Sequence, residues 1–296
     1  MSPFAIAIIL ASTLMHAGWN LLARRRGSET AFFWRMLMLV AVVGLVPGVI
    51  SEWHTHSLTR TAWTCVVPSG LWCAIYMFAL GRAYECSDFT VVYPVVRALP
   101  VVLVAFGDVM LGRYPTPLGW TGMVVLVAGC LMAPQHSFRD LALKHYKSRA
   151  ALWMLVAVIG LVAFTILDKV AADSVQQSFA TAGRYNYFFY LFMFVFYAVL
   201  AAISKGGGSA LQDVGWTVPA IGSVLTFGSY WLTVWAFQIA PHASYVLAFR
   251  QFSIVIGVVF AFILYRERGL AVRLTGTFLI TAGLALIALF GGEKPA

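Results

Sequence analysis

Charge is what this sequence has least of. Only 10% of its 296 residues are charged, and acids are scarcer than bases, 11 against 20. A soluble protein carries roughly 25% charged residues, so very little sequence is left for a separate soluble domain. Hydrophobic residues make up 61% instead. Cysteine is also sparse: Cys65, Cys73, Cys86 and Cys130 stand apart, without the paired spacing of a zinc site or a disulfide framework. His54 and His56 in one loop lack a third ligand, so no metal is expected. Catalytic signatures are missing too. There is no Gly-x-Ser-x-Gly, no phosphate loop and no His-Glu-x-x-His, so an enzyme and a resident cofactor are not expected. No basic residue precedes the first apolar run; the cluster Arg24-Arg25-Arg26 follows it, the reverse of a secretory signal. Long structureless linkers are absent as well.

What is present is a series of apolar segments. Ten of them recur, at 3–23, 31–50, 61–81, 90–111, 117–134, 150–170, 183–203, 215–237, 243–265 and 270–290. About 20 apolar residues cross a hydrocarbon core of roughly 30 Å. The expectation is an all-α integral membrane protein with ten transmembrane helices. The net charge of +9 falls in short loops and reflects orientation, not nucleic-acid binding. Twelve basic residues gather on one side (Arg24, Arg25, Arg26, Arg82, Arg139, Lys144, Lys147, Arg149, Lys205, Arg266, Arg268 and Arg273) and five on the other (Arg60, Arg113, Lys169, Arg184 and Lys294). The richer side faces the cytoplasm by the positive-inside rule. Both termini are then expected on the outer, periplasmic side of a cell inner membrane.

The chain also repeats weakly. Arg97 falls on Arg250 and Arg113 on Arg266 at an offset of 153, and Gly122 falls on Gly276 and Gly129 on Gly283 at 154. This divides the chain into a first five-helix repeat at 1–134, a cytoplasmic connecting loop at 135–149 and a second repeat at 150–296. Five spans is an odd number, so the second half enters the bilayer inverted. Inverted repeats mark transporters that work by alternating access. The matched glycines read as close-packing positions between helices.

Arg97 and Arg250 lie inside spans, roughly 10 Å from opposite membrane faces at 1.5 Å per residue. An intramembrane cation costs several kcal/mol or more unless it faces the bundle interior or water. Each is either an anchor for a substrate carboxylate or phosphate, or a structural arginine satisfied by backbone carbonyls freed by nearby prolines or by a carboxylate. Tyr93 shares a helix face with Arg97, and Pro94 and Pro100 are expected to kink or break that helix. Tyr76 and Trp231 stand in aromatic clusters that line a cavity or pack the core. His16 and Asn20, at i and i+4, bond each other, a substrate or a neighbouring helix. Glu85, Asp108 and Asp168 fall near span ends and read as interfacial charge, with arginine pairing or proton coupling as the alternative. Tyr185, Tyr187 and Tyr190 read as an outer aromatic belt.

The strings His16-Ala17-Gly18-Trp19-Asn20-Leu21-Leu22-Ala23-Arg24, Ala79-Leu80-Gly81-Arg82-Ala83-Tyr84, Val92-Tyr93-Pro94-Val95-Val96-Arg97 and Pro117-Leu118-Gly119-Trp120-Thr121-Gly122 resemble helices of the EamA family in the drug/metabolite transporter superfamily. The resemblance spans the chain. It implies ten helices in two inverted halves and export or exchange of a small metabolite, with proton or counter-substrate coupling left open. Gln251 and Ser253 depart from the pattern, where a small residue or proline is expected. Together these readings lead to a secondary transporter for an amino acid or related small organic anion, acting as monomer or homodimer. An exporter of cationic drugs fits the deep positive charges less well. A membrane receptor or membrane-embedded enzyme is the alternative of another class.

Overall fold

A computed structural model describes residues 1–23, 29–87, 89–133, 135, 149–203, 215–265 and 270–291. Most loop cations counted for orientation (Arg24, Arg25, Arg26, Arg139, Lys144, Lys147, Lys205, Arg266, Arg268 and Lys294) lie outside the described residues, as does nearly all of the connecting loop at 135–149. Among the described residues there is no strand. The helices are α1 (Pro3–Ala23), α2 (Glu29–Val43), α3 (Leu45–Thr55), α4 (Arg60–Cys86), α5 (Phe89–Met110), α6 (Pro117–Met132), α7 (Arg149–Ser174), α8 (Phe179–Ile203), α9 (Thr217–Ile239), α10 (Ala243–Arg250), α11 (Phe252–Tyr265) and α12 (Leu270–Phe290).

Seven of these (α1, α4, α5, α7, α8, α9 and α12) contain a stretch long and apolar enough to cross a membrane. The helices α2 and α3 form a further apolar pair bent by 44°. Their side chains point the right way for lipid. Phe278 is 71% and Val224 69% exposed on the bundle's outer surface, a liability in water and a match to hydrocarbon. The chain is an all-α, multi-pass membrane protein.

Local chemistry sets the helix ends. Thr59 opens α4 by accepting from the Ala62 amide at 3.1 Å, and Thr116 opens α6 by accepting from Gly119 at 3.0 Å, with Pro117 following in the first turn. The bend between α2 and α3 falls at Gly44. A Cβ there would meet the Tyr187 ring at 2.6 Å, and one at Gly48 would meet it at 2.3 Å. Two glycines one turn apart thus open the groove that Tyr187 fills.

Close approaches hold the bundle together. The helices α6 and α12 cross antiparallel: a Cβ on Gly122 would lie 2.8 Å from the Gly283 carbonyl oxygen, and one on Gly129 would lie 2.6 Å from that of Gly276. These are the four glycines matched in sequence. Small hydroxyl residues join α1 to α9, where Ser12 donates to the Ser229 carbonyl at 2.7 Å and lies 2.9 Å from the Thr233 hydroxyl.

Two expectations need correcting here. Pro94 and Pro100 do not break α5, which is continuous around them; prolines are tolerated in the helices of a membrane bundle. Nor is Lys169 a loop residue. The helix α7 runs to Ser174, and Lys169 is only 3% exposed.

Candidate functional site

The helix α5 supplies Arg97 on an apolar face, with Val101 and Val104 buried below it. Opposite stands the junction of α10 and α11. Helical geometry tightens there at Gln251, where Gln251 N bonds Ala248 O and Ile254 N bonds Gln251 O, both at 2.9 Å. These i to i−3 bonds leave the Arg250 carbonyl without its usual α-helical donor. Three groups meet at it. Ser253 Oγ donates to the carbonyl at 2.9 Å, Arg97 Nη2 approaches it at 3.4 Å, and Arg97 Nη2 also donates to Ser253 Oγ at 2.9 Å.

The side chain of Arg250 turns toward α1, its Nη2 3.3 Å from His16 Nδ1. Arginine only donates, so Nδ1 is the accepting nitrogen. Tyrosine rings flank both cations. Arg97 Cζ lies 5.8 Å from the Tyr93 ring centroid, and Arg250 Cζ lies 5.4 Å from that of Tyr230, within the range of a cation–π contact. Tyr76 lies within electrostatic reach of both guanidiniums. Among the described residues no carboxylate pairs with Arg97 or Arg250, and the Nε of each is buried without a hydrogen-bond partner. Two desolvated cations with donors to spare make an electropositive site.

A buried carboxylate stands beyond Tyr230. Asp168 is 0% exposed. It accepts from the hydroxyls of Tyr185 at 2.7 Å, Ser69 and Tyr230. Asp168 is therefore not interfacial, and neither are the three tyrosines expected in an outer belt. Tyr185, Tyr187 and Tyr190 are all buried, and Tyr190 bonds the Thr226 carbonyl at 3.0 Å. The apolar run at 183–203 marks the helix correctly but hides which face its hydroxyls take.

Asp108 is buried as well. Its carboxylate accepts from the Ala243 amide at 3.1 Å and the Ser244 amide at 2.9 Å, so it caps the start of α10 from a neighbouring helix. Lys169 acts on the other side of the same corner, donating to the carbonyls of Phe237 and Ala240, both at 2.8 Å, and to Asp173 at 2.6 Å. Asp173 also pairs with Arg113. The end of α9 and the start of α10 are thereby fixed to α5 and α7.

Of the predicted site residues, Arg97, Arg250, His16 and Tyr93 come together, with Tyr76 near them. Asn20 does not join. Its Nδ2 donates to the His16 carbonyl at 2.8 Å and braces α1. Trp231 is engaged elsewhere, stacked on Phe179 at 4.3 Å and donating to the Phe179 carbonyl at 2.7 Å. Sequence reasoning assigned no site role to Ser253, Tyr230 or the hydroxyls around Asp168. Ser253 did give a signal, as a departure beside Arg250. Glu85 pairs with Arg82 at 2.8 Å on the surface, in keeping with interfacial charge.

No family model matches the sequence, and no curated protein matches it. The fold is a known one, matched by 26 chains of solved structure. One crystal structure superposes with a TM-score of 0.73 at 12% identity, covering 98% of each chain. At that identity the likeness is one of fold.

Proposed function

We propose that the chain is a secondary active transporter of the EamA type, moving a small organic anion, such as an amino acid or related metabolite, outward across a cell inner membrane by alternating access. The observation that carries this reading is the pair of guanidiniums from α5 and α10, Arg97 buried and Arg250 half-buried, with no carboxylate paired to either among the described residues. Burying such charge costs several kcal/mol, and an incoming anion offsets that cost. A cationic cargo would meet two like charges.

The helix inventory supports ten spans. Seven long helices, one bent pair and two shorter apolar helices, α6 and the run 243–259, make up that number. The contacts support two inverted halves, 1–134 and 150–296. With the halves matched helix for helix, α1 packs on α9 as α7 packs on α4, α2 packs on α9 as α8 packs on α4, and α1 meets α10 and α11 as α7 meets α5. The pair α6 and α12 maps onto itself, Gly122 meeting Gly283 and Gly129 meeting Gly276. Reciprocal contacts of this kind are what a two-fold axis produces. An axis lying in the membrane plane relates inverted repeats.

Thermal stabilisation of the purified protein against a metabolite panel tests the substrate class. Small carboxylates are expected to stabilise it, and Arg250→Ala is expected to remove the effect. Stabilisation by cationic compounds alone, undiminished in that variant, would overturn the reading. Accumulation of the stabilising compound in cells lacking the protein checks the direction. Reporters fused at the C-terminus check the orientation and should be silent in the cytoplasm.

A further inference from the structure

Among the described residues, Asp168 is a buried acid whose charge reaches Arg250, and neither arginine pairs with it. We propose that Asp168 is a proton-binding site of the transport cycle, and that Arg250 senses its charge across the ring of Tyr230. The inference rests on the transport reading above and adds a second carried species to it.

The geometry suits a group that gains and loses a proton in place. Three hydroxyls, from Ser69 on α4, Tyr185 on α8 and Tyr230 on α9, converge on the carboxylate. A carboxylate takes all three as donors. Each hydroxyl can also accept, so a neutral Asp168 donates its own proton to one of them without moving. Burial disfavours the charged form while the three donors favour it. The other titratable or charged groups facing Asp168 are Cys65 and Cys73 on α4 and Arg250 on α10. On its own helix, Lys169 is bonded to the carbonyls of the α9–α10 corner, and Asp173 to Lys169 and Arg113. Among the described residues, Arg250 is the cation whose charge reaches the carboxylate.

The step is a proton transfer from water to one Asp168 carboxylate oxygen and back. Only an O–H bond forms or breaks. With the carboxylate neutralised, the field of Arg250 is uncompensated and attracts an anion more strongly. By linkage, a bound anion favours the proton equally. Proton and anion then load together. For a monoanion the pair carries no net charge, so its movement is independent of the membrane potential and is driven by the metabolite and proton concentration gradients together.

The test uses pH-difference infrared spectra of the full chain in detergent, without added ligand. The carbonyl band of a neutral carboxylic acid should grow as pH falls. It should vanish in Asp168→Asn, persist in Asp173→Asn, and strengthen at a fixed pH in Arg250→Gln, which removes the cation favouring the carboxylate. A spectrum without such a band, or a band that survives Asp168→Asn, overturns the proposal. Should Asp168→Asn fail to fold, Tyr185→Phe carries the test. Loss of one hydroxyl must move the band, and an unmoved band overturns the proposal. Because no ligand is present, these outcomes are independent of the metabolite panel. Failure here leaves the anion site standing, and failure there leaves the proton site standing.

Discussion

Two pairs of helices carry the sequence-matched residues, and they have gone different ways. In α6 and α12 the four glycines still meet reciprocally, backbone against backbone. In α5 and the α10–α11 junction the matched arginines no longer have equivalent surroundings. Arg97 sits in an unbroken helix and reaches across to the Arg250 carbonyl and Ser253; Arg250 sits where helical geometry tightens and reaches back to His16. Backbone contact tolerates no side chain, so the glycine crossing is held to its form. A side-chain site can drift, provided its buried donors find acceptors. The difference makes Arg97 the more structural cation and Arg250 the less committed one.

The largest blow to this comparison would come at the crossing. Gly283→Leu places a Cβ within 2.5 Å of the Gly122 carbonyl. It should cost about 3 kcal/mol, the upper range for overpacking, read as a fall in the thermal midpoint. Next comes Arg97→Ala, which strips a charged donor from Ser253 and the Arg250 carbonyl. A loss of about 2 kcal/mol in ligand-free stability is expected. Arg250→Ala should leave ligand-free stability nearly unchanged while weakening anion binding about tenfold, or about 1.4 kcal/mol. If the two alanine variants behave alike in both measurements, the asymmetry argued above is wrong. Ser253→Ala should cost about 1 kcal/mol through one lost hydrogen bond. Smallest is Pro94→Ala, within about 0.5 kcal/mol, since a regained backbone bond offsets lost ring packing; a larger change would mean that the proline shapes α5 after all.

Much of the architecture could be read from hydropathy. The first expected span, 3–23, is α1 to the residue, and 117–134 overlaps α6 closely. The meeting of Arg97 with Arg250 was legible because burying a cation demands a shared interior. The glycine crossing was legible because a repeat of residues without side chains has few other uses. Asp168 was misread for a physical reason. Hydropathy ends a span at the first cluster of charge, here Asp168 and Lys169, whereas α7 continues to Ser174 because its neighbours answer those charges. The partners come from α4, α8 and α9 for the acid and from the end of α9 for the lysine. Partners so far away in sequence leave no local trace. The tightening at Gln251 was hidden likewise, since it needs neither proline nor glycine.

Asp168 and Lys169 are neighbours in the chain yet serve different parts of α9. They are consecutive on a stiff helix, so α7 behaves as a shaft bearing two fittings. One engages Tyr230 in the middle of α9, and the other grips the carbonyls of Phe237 and Ala240 at its end. A turn or slide of α7 that frees Lys169 from the α9–α10 corner also draws Asp168 off Tyr230. Unlatching that corner and disengaging the buried acid are therefore one stroke.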